Sequence, residues 1–177
     1  MKTAIVGYPR IGAHRELKFA SEQYFRGACT EAELQETAKS LRLANLTQQK
    51  ESGLDWIPSN DFSFYDGMLD TAFLLNAVPK RYRELGLAPL DTYFAAARGY
   101  QGDKGDVKAL AMKKWFNYQL TTTWYRNWKT TLPFVLADEK PFRLYQEAKA
   151  AGVETKPVVI GAYTFLKLAV YNGKKTA

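Results

Sequence analysis

The chain has 177 residues, of which 46% are hydrophobic and 24% charged, which is enough for one domain with a buried core. No apolar run approaches the roughly 20 residues that cross a bilayer, and the N-terminal run is too short for a secretory signal. The single cysteine excludes an internal disulfide framework, so we expect a mature cytoplasmic protein. The formal net charge of +7 comes from scattered Lys and Arg, which argues against nucleic-acid binding.

Short apolar runs alternate with amphipathic stretches along the chain. The first run ends in glycine and predicts a buried strand, and a loop containing Pro and Gly follows it. Thr30 opens a helix with a capping box, since Glu33 lies three residues later, and Gly53 ends that helix. In chain order we predict strands over 3–7, 54–58 and 156–161, helices over 14–26, 30–52, 64–77, 90–98, 141–152 and 164–170, a connection over 79–90 and a mobile loop over 99–106.

This alternation predicts an α/β fold with a parallel sheet. A dinucleotide-binding fold is disfavoured, because no Gly-x-Gly-x-x-Gly follows the first strand. Sites on parallel sheets lie in the loops after the carboxyl ends of the strands, here 8–18, 59–66 and 161–164. A closed eight-stranded barrel takes about 250 residues. We therefore expect residues 1–177 to form one incomplete (β/α) barrel domain.

Arg15 and Lys18 follow the first strand directly and are three residues apart, so they share a face if a helix begins here. The first turn of a helix favours anions through its unpaired backbone N–H groups. Cations at that position are disfavoured unless an anion joins them, which points to a polyanionic ligand. The alternative is a solvated helix start in which Glu16 pairs with a neighbouring cation.

Two further clusters have polar side chains that suit a site. Asp61 and Asp66 flank aromatic residues after the second strand and could serve as ligands or bases. A helix N-cap is the favoured interpretation of Asp61. Lys113 and Lys114 precede Trp115 and could bind an acidic group, or they could snorkel from an amphipathic face, which the spacing slightly favours.

Metal and thiol chemistry is not predicted. His14 and Cys29 are the single His and Cys of the chain and lie fifteen positions apart. That pair lacks the partners of a metal site, and Cys29 lies among small residues at a helix entry, where we expect it to be inert. We predict no catalytic residue and no metal ligand.

Several segments together resemble the N-terminal half of cobalamin-independent methionine synthases. They are GYPRIGAHRELKFASEQYFRG at 7–27, DWIPSNDFSFYDGMLDTA at 55–72, LDTYFAAARGYQGDKGD at 90–106, MKKWFN at 112–117 and KPVVIGAYTFLKLA at 156–169. The ordered set, with gaps of the right size, is specific, whereas a single tetrapeptide would be weak. One departure is Ala162, where the family usually has proline.

The resemblance implies a role in methyl transfer from 5-methyltetrahydropteroyl-triglutamate to homocysteine. The family enzyme has two related β/α barrels, and its C-terminal barrel, absent here, holds the catalytic zinc and homocysteine. By resemblance, Arg15, Glu16, Leu17 and Lys18 match the RELK motif that binds the glutamate tail of the folate, and Lys114 matches a tail-binding lysine. The implied partners are this folate and the missing barrel, without nucleic acid or membrane, and the implied fold is the first part of a TIM-like barrel.

The stretch 118–132 departs from the family pattern, and we hypothesise that compensated frame changes produced it. Permitted codons for 120–130, read after dropping two bases, encode Tyr-His-Tyr-Met-Val-Pro-Glu-Leu-Glu-Asp, which is the missing family segment. That peptide would replace Arg126 and Lys129 by three acids and lower the net charge from +7 to +2. We therefore expect 118–132 to be out of frame and irregular, with Trp124 and Trp128 able to form a helical stripe instead.

Three functions remain open from the sequence. The chain is part of the methyltransferase and inactive alone, or a stand-alone module that binds folyl-polyglutamate or another polyanion, or a non-functional product of a damaged gene.

Overall fold

The computed structural model describes residues 1–115, 118–121, 124–125, 134–171 and 174–175. The helices are α1 Glu16–Phe25, α2 Glu31–Glu51, α3 Gly67–Leu74, α4 Lys80–Arg83, α5 Pro89–Arg98, α6 Lys140–Ala150 and α7 Ala162–Leu168. The strands are β1 Ile57–Ser59, β2 Tyr100–Gly102, β3 Gly105–Val107, β4 Met112–Trp115, β5 Tyr118–Thr121, β6 Trp124–Tyr125, β7 Thr155–Pro157, β8 Val170–Tyr171 and β9 Lys174–Lys175. The chain divides into two compact units, Met1–Ser63 with Lys140–Val158, and Phe64–Glu139 with Val159–Ala177.

The first unit is built on parallel segments covered by helices. β1 and β7 pair in parallel, with Ile57 opposite Thr155, and Ala4 forms a parallel bridge to Trp56. The side chains that join α2, α6 and this pairing in one buried cluster are Leu46, Ile57, Ala148 and Val153. Burying a Leu, Ile or Val side chain contributes about 1.5–3 kcal/mol, so this cluster holds both helices on the strands.

The start of α2 confirms the predicted capping box. The Glu33 N–H donates to Thr30 Oγ1 at 3.3 Å, and the Thr30 N–H donates to Glu33 Oε2 at 2.6 Å. The second contact lowers the pKa of Glu33, because it stabilises the carboxylate. Gly53 follows the helix with a φ of +74°, a conformation that glycine adopts without strain.

The second unit packs α3, α5 and α7 with short antiparallel hairpins. One buried cluster joins α3 to α7 through Met68, Ala72, Phe165 and Leu168, together with Ala77. β2 pairs with β3 and β4 with β5, both antiparallel, while β6 pairs in parallel with β8. Phe134 packs edge-on against Phe165, at a centroid distance of 6.4 Å.

The predicted α/β class is confirmed, and so are all six predicted helices, whose ends shift by a few residues. The predicted strand over 3–7 is wrong in extent, since only Ala4 bridges a neighbour. The strands predicted over 54–58 and 156–161 are present in shorter form as β1 and β7. The described strands form separate two- and three-stranded sheets and no closed barrel.

Two predicted loops contain regular structure. The mobile loop over 99–106 is instead the β2–β3 hairpin, in which Gly102 pairs with Gly105 across a two-residue turn. Glycines around such a turn give hairpin geometry as readily as mobility. The connection over 79–90 contains α4. Of the stretch 118–132, the structure describes β5 and β6, and the remainder lies outside the described residues.

Candidate functional site

The loops that follow the parallel segments of the first unit meet at the carboxyl ends of those segments. The Tyr8 N–H donates to Asp61 Oδ2 at 2.9 Å. The Val158 N–H donates to the Ser59 carbonyl, and Asn60 Nδ2 donates to the Val158 carbonyl, both at 2.8 Å. Loop 8–18 and the first part of loop 59–66, two of the three loops that the sequence indicates as positions for a site, therefore contact each other. The third predicted loop, 161–164, contains the start of α7 and belongs to the second unit.

Loop 8–15 is held to its surroundings at several points. Arg10 Nε donates to the Ser63 carbonyl, and Asn45 Nδ2 of α2 donates to the Pro9 carbonyl at 3.1 Å. Gly12 has a φ of +85°, and a Cβ added there would lie 2.9 Å from Leu41 Cδ2. Leu41 Cδ2 is the end of a flexible side chain that can shift, so it is the positive φ that favours glycine at this point of the loop.

Arg15 is the N-cap residue of α1 and has a left-handed backbone, with φ 63° and ψ 33°. Its side chain is exposed and forms no ion pair with any described residue. The carboxylate of Glu16 instead accepts the His14 N–H at 3.1 Å. The expected alternative, an ion pair between Glu16 and a neighbouring cation, is therefore absent from the described part of the chain.

Leu17 is buried and Lys18 is exposed. Leu17 is only 2% exposed, and its N–H donates to the Ile11 carbonyl at 3.2 Å, so it anchors the helix start to the loop. The Lys18 side chain is 47% exposed, and its Nζ lies 3.7 Å from Glu22 Oε1. An exposed i, i+4 pair at this distance is worth little, so Lys18 remains available to another anion.

Asp61 is a link between loops and not a helix N-cap. The N-cap of α3 is Asp66, whose Oδ1 accepts the Leu69 N–H at 2.8 Å. The backbone is extended at Asp66, which places its side chain over the first turn, whereas Asp61 lies six residues before α3. The interpretation of Asp61 as an N-cap was therefore wrong.

Burial raises the pKa of the Asp61 carboxyl. Hydrogen bonds from the backbone N–H groups of Tyr8, Asp61 and Phe62 and the positive charge of Lys140 partly oppose this effect, because they stabilise the carboxylate. The carboxyl group is thus held in an environment that disfavours its charge.

A pocket beside Asp61 contains a nearly buried ion pair. Arg42 of α2 contacts Glu147 of α6 through two hydrogen bonds, of 2.7 and 2.8 Å, and the two side chains are 15% and 19% exposed. The guanidinium lies over the Phe62 ring, 5.2 Å from its centroid. Lys140 Nζ donates to the Phe62 carbonyl at 2.6 Å. The Arg42–Glu147 pair was not predicted from the sequence, because no local pattern joins side chains 105 positions apart.

The remaining candidates are the lysine pair Lys113 and Lys114 and the single cysteine. Lys113 and Lys114 lie in β4, where Lys114 pairs with Gln119, but their side chains are outside the described part, as is Phe116. The two interpretations of that cluster stay open. The Cys29 Sγ donates to the Ala20 carbonyl at 3.5 Å. Within the described ranges no three His, Cys, Asp or Glu side chains are placed to share a metal ion.

Comparison with known sequences now adds to this geometry. The family model described as "Cobalamin-independent synthase, N-terminal domain" matches residues 2–177. The chain belongs to this family. Where the structure describes the chain, no helix has the length and apolar character to span a membrane.

Curated relatives match nearly all of the chain. A Campylobacter jejuni subsp. doylei protein is 50% identical over 183 residues, covering 99% of this chain and 23% of the relative. A Streptococcus thermophilus protein is 53% identical over 172 residues, covering 97% of the chain and 23% of the relative. Both are named 5-methyltetrahydropteroyltriglutamate–homocysteine methyltransferase. The chain therefore spans about a quarter of the length of these relatives.

Proposed function

We propose that this chain is the part of a cobalamin-independent methionine synthase that binds the glutamate tail of the folate. The whole enzyme would transfer a methyl group from 5-methyltetrahydropteroyl-triglutamate to homocysteine in the cytoplasm. The observation that carries the proposal is the pair of exposed cations, Arg15 and Lys18, at the carboxyl edge of parallel segments. The names of the relatives and the matched family support the same substrate.

The chemistry of a glutamate tail suits this edge. Each carboxylate accepts charge-assisted hydrogen bonds, and a planar guanidinium such as that of Arg15 can donate two of them in parallel. Lys18 supplies a second positive charge one helical turn later, while Glu16 and Leu17 fix the backbone between them. Lys114 completes the proposed set by the family resemblance. A single exposed ion pair contributes little binding free energy. A tail with several carboxylates can form several such pairs at once, so it should bind more tightly than a single glutamate.

This part of the enzyme would bind and orient, and we assign it no catalytic residue and no metal ligand. The zinc that activates the homocysteine thiol in the family belongs, in this proposal, to a C-terminal barrel outside this chain. That barrel would also be the partner of the present chain. We further propose that the described α/β units are the beginning of the first (β/α) barrel of the enzyme.

Calorimetric titration tests the proposal with 5-methyltetrahydrofolate carrying either three glutamates or one. We expect the triglutamate to bind at least about tenfold more tightly, because roughly 1.4 kcal/mol of additional charge-assisted contact suffices for that ratio. The difference should shrink on raising the salt from about 0.05 M to about 0.5 M, since exposed charges are screened. Equal affinities, or no heat with either ligand, would contradict the proposal, and the second result would favour a non-functional product.

A turnover assay separates the methyltransferase part from a complete catalyst. The chain alone should form no methionine from homocysteine and the triglutamate, because the residues that activate the thiol lie elsewhere in this proposal. Methionine formation by the purified chain would show that this division of roles is wrong. Tail binding without any effect on a C-terminal half supplied separately would favour a stand-alone folyl-polyglutamate module.

A further inference from the structure

The Asp61 carboxylate joins the two loops at the carboxyl edge of the first unit. Its Oδ2 accepts the Tyr8 N–H at 2.9 Å, across 53 positions of sequence. The neighbouring loop contacts, from Asn45 to Pro9 and from Arg10 to Ser63, are directed at the same short segment. Three consecutive residues of loop 8–15 are thus fixed at its beginning.

Two backbone hydrogen bonds connect the same loop to the start of α1, which carries the proposed tail ligands Arg15 and Lys18. The Arg15 N–H donates to the Gly12 carbonyl at 3.3 Å, and the Leu17 N–H donates to the Ile11 carbonyl at 3.2 Å. Gly12, between these two contacts, has a φ of +85°, which favours glycine there. These two hydrogen bonds connect loop 8–15 to the backbone from which the Arg15 side chain projects.

A second carboxylate provides a comparison at the other end of the same segment. Asp55 Oδ2 accepts the Thr3 N–H at 2.7 Å and the Thr3 hydroxyl at 3.0 Å. Asp55 and Asp61 therefore make the same kind of contact between the first segment and the β1 region. Asp55 is exposed at the amino edge, whereas Asp61 is partly buried at the carboxyl edge, where it contacts the start of loop 8–15.

Charged groups from each packed element face the neighbourhood of Asp61. Lys140 of α6 interacts favourably with its charge, and Arg10 is bound nearby to Ser63. Arg42 of α2 lines the adjacent pocket and is already neutralised by Glu147 of α6. Asp61 is therefore a partly buried charged side chain. Burying a charge costs free energy that a neutral residue at this position would not cost.

We propose that Asp61 is a positioning residue for the folate tail: it holds loop 8–15 so that Arg15 and Lys18 bind successive glutamates. It does not touch the ligand itself. The inference rests on the proposed function, and it assigns the selectivity for a polyglutamate tail to a residue outside the RELK motif.

The test measures the affinities of the full chain for the triglutamyl and monoglutamyl folates with Asp61→Ala, Asp61→Asn and Asp55→Ala. Asp61→Ala should lose about tenfold in triglutamate affinity, the size expected for one charge-assisted hydrogen bond, with monoglutamate affinity unchanged. Asp61→Asn should rescue only part of that loss at about pH 7, because its amide oxygen can still accept the Tyr8 N–H but is a neutral and therefore weaker acceptor than the carboxylate. Asp55→Ala should bind both ligands as the wild type does.

The pH profile distinguishes positioning from general stability. Since the pKa of Asp61 is raised, its carboxylate becomes neutral at a higher pH than an ordinary aspartate as the pH falls, and the Tyr8 contact weakens. As the pH falls, the triglutamate affinity of the wild type should therefore begin to drop at a higher pH than the titration of an ordinary aspartate would give, and this drop should be smaller in Asp61→Asn. The tail carboxylates titrate equally in both proteins, so the difference belongs to Asp61.

Each result decides between the two proposals. Wild-type chain that does not bind the triglutamate overturns the proposed function and this inference with it. A binding wild type whose affinity is unchanged by Asp61→Ala overturns the inference alone, as does an equal loss in Asp55→Ala. If Asp61→Ala is unfolded by circular dichroism, the pH profile of Asp61→Asn decides, and a profile identical to that of the wild type overturns the inference.

Discussion

The two ends of the parallel segments in the first unit are built differently. At the amino edge, the exposed Asp55 accepts two hydrogen bonds from Thr3 and no backbone strain is present among the residues that form the contact. At the carboxyl edge, Asp61 is partly buried, and Arg15 and Asn60 both have left-handed backbones, with φ of 63° and 60°. Such conformations cost about 1–3 kcal/mol each in residues other than glycine. The edge that carries the proposed ligands is thus the one that accepts strain and buried charge, as ligand-binding edges commonly do.

The largest effect on stability should come from the ion pair beside the carboxyl edge. Arg42→Ala leaves the Glu147 carboxylate largely buried without its guanidinium, which should lower the free energy of unfolding by about 3 kcal/mol. Asp55→Ala at the exposed amino edge should cost less than about 1 kcal/mol. Urea unfolding followed by circular dichroism measures both. Similar losses in the two variants would remove the contrast between the edges.

Substitutions at Arg15 should have a smaller effect on the free energy of unfolding, and they test whether the carboxyl edge is strained. Arg15→Gly relieves a left-handed backbone and should raise the free energy of unfolding by about 1 kcal/mol, while it removes a proposed ligand. Arg15→Ala removes the same side chain but keeps the strain, so it should show no such gain. Thermal unfolding of the two variants provides the measurement. Equal stabilities would mean that the φ of Arg15 carries no cost.

The helices of this protein were predictable because their signals are local. The capping box begins at Thr30, directly before α2, and Gly53 follows the helix closely, so both signals are local to the helix ends, as predicted from the sequence. The short strands were harder to place. Ala4 has only one parallel bridge, and the pairing of β1 with β7 joins residues almost a hundred positions apart. Register between such distant segments depends on tertiary packing and not on composition.

The site was predictable only in part, for the same reason. The candidate cations Arg15 and Lys18 are three residues apart in sequence, so this pair could be proposed from local spacing alone. The role of Asp61 as the acceptor for Tyr8 and the Arg42–Glu147 pair depend on contacts across 53 and 105 positions. Such long-range contacts cannot be predicted from the periodicity of hydrophobic residues or from turn residues, because these patterns report only local structure. The Asp61 prediction was therefore wrong, since a helix N-cap was the best local explanation of an aspartate after a strand.

The central claim, that Arg15 and Lys18 bind the folate tail, has one direct test. Triglutamate affinity is measured for Arg15→Ala/Lys18→Ala and for Arg26→Ala/Lys39→Ala, a control that removes the same two charges from exposed positions on α2 and at the C-terminal end of α1. The first variant should lose about a hundredfold in affinity, roughly two charge-assisted contacts, and the control less than about threefold. Equal losses in the two variants would contradict the account, because they would show that net charge alone, and not this edge, attracts the ligand.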